Sequence, residues 1–192
     1  ASFPLEEKYF VDNWVGKMAC NWIENFDMNS RRKPFFLHIG FVGPHDPFAP
    51  PQRFIDMYKD SKVPQPLISP NGYKDKPPQF KRFMEQCINF PRFKQAPGYG
   101  VFQVRLDDKN IEQIINMRKH YYARITAIDE QIGFITQALK QKGLLENTII
   151  IFTSDHGENL GDHGMMYKWL MTEQTTRIPM IVRLPSSYRG GI

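Results

Sequence analysis

Three short apolar runs, two of them flanking one long helical pattern, do most to limit what this chain can fold into. The runs are Phe35-Phe36-Leu37-His38-Ile39-Gly40-Phe41-Val42, Thr148-Ile149-Ile150-Ile151-Phe152-Thr153 and Ile178-Pro179-Met180-Ile181-Val182-Arg183-Leu184. Each is too short for a typical helix and rich in β-branched or aromatic side chains, which marks it as a strand. The continuous rather than alternating apolarity of the first run predicts burial on both faces, as in a sheet covered by helices, and the second run reads as another buried strand. Between the first two runs, Ile111, Ile114, Ile115, Tyr121, Tyr122, Ile125, Ile128, Ile132, Ile135 and Leu139 keep helical spacing, and Gly143 is a natural stop. The order strand, long helix, strand, short helix or loop, strand predicts an α/β fold, a largely parallel central sheet flanked by helices.

Two further segments complete the outline. Phe10, Trp14, Met18, Trp22 and Phe26 recur every fourth residue, which predicts a helix over 6–26 with a core-facing aromatic stripe. Residues 61–109 are rich in Pro, Gly, Lys and aromatics without a sustained period and read as a functional loop or insertion. Its Tyr73, Phe80, Phe83, Phe90, Phe93, Tyr99 and Phe102 either shape a pocket mouth or pack the insertion itself.

Composition excludes several classes. With 41% hydrophobic and 14% aromatic residues in 192, the chain can bury a core, so it is not a disordered segment. A formal charge of +5 raises the question of nucleic acid, but Lys and Arg are scattered, with only short clusters such as Arg31-Arg32-Lys33. No nucleic-acid partner is expected; a mildly basic surface equally suits an anionic substrate. Cys20 and Cys87 form no disulfide framework and no C-x-x-C pair, and Cys20, among apolar helical positions, reads as a buried thiol. No apolar stretch approaches the ~20 residues that cross a bilayer. The start at Ala1 shows neither initiator Met nor signal peptide, and the end at Arg189-Gly190-Gly191-Ile192 is abrupt, so the chain is expected to be a piece of a longer protein.

Parallel sheets gather ligands beyond the carboxyl ends of their strands. Two polar clusters sit there. After the first run, Gly43-Pro44-His45-Asp46-Pro47-Phe48 holds His45 between two prolines, a rigid setting that suits a residue aimed at a substrate, though a structural or merely exposed His fits as well. After the second run, Asp155 and His156 can turn toward one cation, with Gly157 allowing a sharp exit; a solvated turn capped by Asp155 is the alternative. Glu158, Asp162 and His163 follow at once, a density of ligand-type side chains that packing does not explain. The H-x-E of a zinc deaminase lacks its P-C-x-x-C partner, and H-E-x-x-H, G-x-S-x-G and the P-loop are absent. Lys168 could neutralise an anionic oxygen or be an ordinary surface lysine. His38, inside the first run, reads as a satisfied core residue, and His120 receives no role.

These motifs resemble one family. Gly43-Pro44-His45-Asp46-Pro47-Phe48 with Pro50-Pro51 is similar to the loop by which formylglycine-dependent sulfatases present a substrate-contacting histidine. Thr153-Ser154-Asp155-His156-Gly157-Glu158, then Leu160-Gly161-Asp162-His163-Gly164 and Tyr167-Lys168, resembles their metal segment, and Tyr121-Tyr122-Ala123 through Ile128-Asp129-Glu130-Gln131-Ile132-Gly133 the helix between. The match runs from about Phe35 to Pro185 and is nearest to the choline-sulfatase and iduronate-sulfatase kind, within the alkaline phosphatase superfamily. The resemblance implies that residues 1–192 form part of a single catalytic domain hydrolysing the sulfate ester of a small molecule or saccharide. It implies Asp155 and His156 as ligands of a divalent cation, commonly Ca²⁺, with Mn²⁺ or Mg²⁺ as alternatives. His45 and Lys168 would contact the sulfate, His45 also as an acid to the leaving group, while Glu158 and His163 would orient the ligands. A periplasmic, secreted or lysosomal location goes with such a family.

The same resemblance shows what is missing. The family's C/S-x-P-x-R, whose Cys or Ser becomes the formylglycine nucleophile, matches neither Cys20 nor Cys87, and the early Asp-Asp metal pair is absent. The nucleophile is expected on a part of the protein preceding this chain, and the 192-residue piece alone is expected not to turn over substrate. Two other readings remain open: a phosphonate monoester or phosphodiester hydrolase of the same superfamily, and a non-catalytic relative that binds sulfated carbohydrate.

Overall fold

A computed structural model describes residues 2–27, 33–67, 74–89 and 108–188. In chain order the helices are α1 (Val11–Glu24), α2 (Gln52–Asp56), α3 (Pro78–Asn89), α4 (Asp108–Gln141) and α5 (Glu173–Thr176). Single 3-10 turns lie at Glu7–Tyr9, Leu145–Asn147 and Asp162–Gly164, and strands β1 (Ile150–Thr153) and β2 (Met180–Arg183) pair in a two-stranded sheet. The chain forms two compact units. One holds Ala1–Ser61, Lys119–Ile151 and Val182–Ile192; the other holds Lys62–Arg118 and Phe152–Ile181. Arg31, Arg32, Tyr73, Phe90, Phe93, Tyr99, Phe102 and the end from Arg189 lie outside the described residues.

The first unit is built on α1 and the longer part of α4. Their buried faces bring Ala19, Ile23 and Phe26 against Ile135, Ala138, Leu139, Leu144 and Leu145. A second apolar cluster joins Phe10 and Phe54 to Ala123 and Ala127. The face of α1 differs from the expected stripe: Asp12, Gly16, Ala19 and Ile23 are buried, whereas Trp14 is 59% and Met18 39% exposed. A four-residue repeat advances about 40° per step on a helix of 3.6 residues per turn, so the aromatics wind around α1. Gly16 lets α1 approach α4 closely, since a Cβ there would lie 2.3 Å from Gln131 Oε1.

The first apolar run also departs from expectation. Residues 35–42 form no ladder among the described residues, and their burial alternates. Phe35, Leu37, Ile39 and Phe41 pack on the α1–α4 core beside Ile150. Phe36, at 91% exposure, and Val42 face away, as do Ile149 and Ile151 of the second run. His38 lies on that outward register and is exposed rather than a core histidine. Among the described residues, therefore, each of the first two runs has one register on the α1–α4 core and the other exposed. β2 is likewise exposed at Met180, Ile181 and Val182.

The α4 helix ends as its sequence predicts. Gly143 takes φ +71°, its N–H donates to Lys140 O, and the Leu144 N–H donates to Leu139 O at 2.8 Å. This is the paired 5→2 and 6→1 closure of a left-handed cap, with Leu139 and Leu144 in contact in the core. Cys20 is half-buried rather than fully so, and burial pushes its thiol pKa up, with Glu24 adding to the rise.

In the second unit, the stretch 61–109 contains a helix that its composition concealed. Pro78 occupies the first turn of α3, where a missing N–H costs nothing, and Phe80 and Lys81 donate back to Pro77 O. Phe80 is buried against Met165, with Phe83 and Leu170 alongside, so these two aromatics pack the unit itself.

Nothing lies within 4 Å of a Cβ built on Gly143, so Gly143→Ala isolates the backbone cost of φ +71°. The expected loss is about 1–2 kcal/mol, seen as a lower denaturant midpoint at unchanged slope, and Gly143→Asn should lose less. An unaltered Gly143→Ala midpoint would contradict the cap.

Candidate active site

His45 sits on the loop between the first apolar run and α2, and two buried charged residues hold that loop. Asp12 of α1 is 0% exposed, and its Oδ1 accepts the N–H groups of Val42 and Gly43, each at 3.0 Å. Arg124 of α4 donates from Nη1 to His45 O at 2.6 Å and Pro47 O at 2.7 Å, and from Nη2 to Asp12 Oδ2 at 3.4 Å. Gly43 is required where it stands, because a Cβ would meet Asp12 Oδ2 at 2.7 Å, Arg124 Nε at 2.8 Å and Ile128 Cδ1 at 2.9 Å. The imidazole itself is half exposed. His45 Nδ1 lies 2.9 Å from Asp46 O and 3.0 Å from Asp46 Oδ1; both are acceptors, so Nδ1 carries the proton and Nε2 is the nitrogen left for chemistry.

Asp155 and His156 follow β1 in the other unit. The side chain of Asp155 is 85% exposed, and its Oδ1 accepts the His156 N–H at 2.8 Å. Partial burial raises the carboxyl pKa, but the His156 N–H, the His156 ring, its own N–H and the Ser154 hydroxyl outweigh it, leaving the group below its ordinary value. His156 Nδ1 lies 2.9 Å from Gly157 O, an acceptor that assigns the proton to Nδ1 and leaves the Nε2 lone pair free. Nε2 lies 3.5 Å from Asp155 Oδ2. Two neighbouring ligands of one cation have about that separation when each bond is about 2.0–2.5 Å long. The pair therefore fits a divalent cation. No group of three or more His, Cys, Asp or Glu side chains converges among the described residues, so the pair by itself would leave most positions around a cation open.

Beyond this pair the chain folds back on itself. Gly157 donates to Thr175 O, and a Cβ there would lie 2.0 Å from Gln174 O, so no other residue can begin the turn without moving the backbone of α5. Glu158 Oε1 accepts the N–H groups of Leu160, at 3.3 Å, and Tyr167, which ties the two ends of the loop together. Asn159 is fully buried, donating to Tyr167 O and accepting from Thr172 Oγ1 at 2.7 Å. Leu160, His163 and Tyr167 are held at positive φ, at 49°, 56° and 67°. Non-glycine residues persist in that region only where their surroundings impose it.

Part of the restraint comes from Arg118 of α4. Its guanidinium is buried and donates from Nε to Leu160 O at 2.9 Å, from Nη1 to Pro64 O and Gln65 O, and from Nη2 to Asp162 Oδ1. Asp162 also accepts the Leu67 N–H at 2.8 Å, and the His163 N–H donates to Leu67 O. Burial lowers the His163 pKa, Lys76 lowers it further and Asp162 partly opposes both. The Nδ1 of His163 is buried without a partner among the described residues. Lys168 is half-buried at the end of the loop and makes no ion pair among the described residues.

Asp155 and His156 thus meet as ligands of one site can, with Lys168 on the same loop, while His45 is held separately in the first unit. Glu158 holds the loop backbone through its carboxylate, whereas His163 contributes its backbone N–H to Leu67 O. Sequence reasoning missed Asp12, Arg118, Arg124 and Asn159. The signal was there for the arginines: both fall on the apolar face of α4, Arg118 four residues after Ile114 and Arg124 four before Ile128, and a charge on a buried face needs partners.

The sulfatase family model matches residues 10–190, and the chain belongs to that family. It is 33% identical over 187 residues to an arylsulfatase of Clostridium perfringens, a match covering 97% of this chain and 34% of that protein. It is 36% identical over 153 residues to the multifunctional alkaline phosphatase superfamily protein PehA of Trinickia caryophylli, covering 79% of this chain and 29% of that one. Among solved structures, the phosphonate monoester hydrolase of Agrobacterium radiobacter superposes with a TM-score of 0.72 at 27% identity, covering 96% of this chain and 35% of that one. The chain thus spans about a third of the length of these relatives, and its fold is the α/β fold of the alkaline phosphatase superfamily.

Two outcomes follow from the loop geometry. Arg118→Met strands the Asp162 carboxylate in a buried setting and should cost about 3–5 kcal/mol, whereas Arg118→Met combined with Asp162→Leu should recover much of it; denaturant midpoints of the single and double variants decide this. For His163 the folded pKa lies below the unfolded value near ~6.5, so the unfolded state binds the extra proton. Its contribution to stability is present above that value and lost as pH falls through the lowered folded pKa. His163→Gln should flatten the fall in denaturant midpoint on acidification from about pH 7 to 5, and an unchanged fall would show that His163 does not titrate there.

Proposed function

We propose that the protein is a sulfuric-ester hydrolase, with this chain supplying a metal-ligand pair and two substrate-binding side chains. The observation that carries the reading is the pair Asp155 Oδ2 and His156 Nε2, 3.5 Å apart at the carboxyl end of β1, with the His156 tautomer set by Gly157 O. Family membership supports it, since sulfatases generally depend on a divalent cation. Asp155 and His156 would hold that cation, Ca²⁺ by preference for oxygen-rich sites, with Mn²⁺ and Mg²⁺ as alternatives given the imidazole. When bound, it supplies positive charge that offsets the negative charge of the ester and its nucleophile.

The chain's own residues then have distinct tasks. Lys168 binds a sulfate oxygen as a compact point charge. His45, with Nδ1–H committed to Asp46, directs Nε2 to the ester and, when protonated, delivers a proton to the departing alkoxide or phenoxide oxygen. The nucleophile, a formylglycine, is assigned to a part of the protein outside this chain. The substrate is the sulfate ester of a small molecule or a saccharide. The likeness to PehA and to a phosphonate monoester hydrolase supports a second reading, hydrolysis of phosphonate monoesters or phosphodiesters by the same residues.

Rates of the complete enzyme on 4-nitrophenyl sulfate and on a 4-nitrophenyl phosphonate ester test the reading. The sulfate should be preferred, with activity lost on chelation and restored by Ca²⁺. Lys168→Met should lower kcat/KM by about 10²–10³-fold, the scale of one lost charge-stabilising contact, and Asp155→Ala should abolish cation binding measured calorimetrically. Preference for the phosphonate would move the assignment to the second reading. Unaltered esters after long incubation would mark a binding protein.

A further inference from the structure

The restraint on the His45 loop exceeds what holding a turn requires. Arg124 and Asp12 are the buried charged pair of the first unit, with side chains 5% and 0% exposed. A pair serving stability alone could be replaced by apolar groups of similar volume at little cost. Here both side chains spend their hydrogen bonds on the backbone of a few consecutive residues. Asp12 Oδ1 takes the N–H of Val42 and Gly43, while Arg124 Nη1 takes the carbonyls of His45 and Pro47, on either side of the Asp46 groups that hold the His45 imidazole. The direct Arg124–Asp12 contact is the longest of the set at 3.4 Å. Arg124 Nε has no hydrogen-bond partner among the described residues, and a Cβ on Gly43 would lie 2.8 Å from it.

We infer that Arg124, together with Asp12, is a positioning residue for His45: it fixes the backbone on both sides of Asp46 and thereby the tautomer and direction of the imidazole. The inference rests on the proposed role of His45 as acid to the leaving group. Lysine is not equivalent, because one tetrahedral ammonium does not reproduce a planar fork whose Nη1 serves both carbonyls while Nη2 is directed at the carboxylate. The Arg124 and Asp12 side chains are both buried away from solvent. Their influence passes through the carbonyls of His45 and Pro47, and a displacement of about 1 Å is worth about 10²-fold in rate.

The test uses the complete enzyme and the variants Arg124→Lys, Arg124→Met and Asp12→Asn, each checked for cooperative thermal unfolding. Phenyl sulfate and 4-nitrophenyl sulfate are compared, because only the poorer leaving group needs a proton. The expected result is a fall in kcat on phenyl sulfate of about 10²-fold, at least ten times larger than on 4-nitrophenyl sulfate and with little change in KM. In a His45→Ala background the Arg124 variants should add nothing. In parallel, the ring-nitrogen NMR shifts of ¹⁵N-labelled His45 should report the Nδ1–H tautomer in the parent enzyme and a tautomer mixture in Arg124→Lys. Equal losses on both esters that persist without His45, or an unchanged His45 tautomer in a folded Arg124 variant, would overturn the inference. Should His45→Ala show no leaving-group dependence, the acid role falls, and the tautomer readout alone then decides whether Arg124 positions the ring. If Arg124→Met does not fold, Arg124→Lys and Asp12→Asn carry the test.

Discussion

A guanidinium group cannot shed its charge, so an arginine inside a protein must bring its hydrogen-bond partners with it. Helix α4 carries two of them on its buried face, and in each case the partners are loop carbonyls and one carboxylate. Arg118 gathers Pro64, Gln65, Leu160 and Asp162; Arg124 gathers His45, Pro47 and Asp12. The surrounding packing is plain, with Ala, Ile and Leu filling the α1–α4 contact. Apolar contacts decide that the helices meet. The two arginines decide how the loops bearing the candidate site lie on them.

Much of this was legible in the sequence, and the rest was hidden for identifiable reasons. The α4 helix, its stop at Gly143 and the strands at 150–153 and 180–183 announce themselves through long periodicity, a left-handed glycine and β-branched runs. The site motifs stand out because polar residues of ligand type crowd beside an apolar run. The α1 stripe misled because aromatic side chains are conspicuous while the residues that touch α4 are small: Gly16 and Ala19. Helix α3 was concealed by the prolines before it, which signal a break but also suit a first turn. For 35–42 and β1, continuous apolarity predicted buried strands, and among the described residues only one register of each is covered. No local pattern could report Asp12 or Asn159, whose partners lie on the backbone of other segments.

The loop that follows β1 illustrates how a rigid segment is made with almost no regular structure. Leu160, His163 and Tyr167 sit in backbone conformations that cost each of them energy, and the bonds from Glu158, Asn159 and Arg118 hold them there. Such a loop has few alternative arrangements available, so Lys168 at its end and His156 at its start start from fixed points. Side chains acting largely on backbone give it this stiffness.

The uncovered register of the first unit has a bearing on how the chain behaves in solution. Phe36, Val42, Ile149, Ile151, Val182 and Leu184 are exposed, in runs of extended or near-extended backbone. Apolar rows of this kind with free backbone edges are templates for pairing with another chain. In the 192-residue chain by itself these rows are open to other copies, and light scattering that rises with concentration is the behaviour they favour.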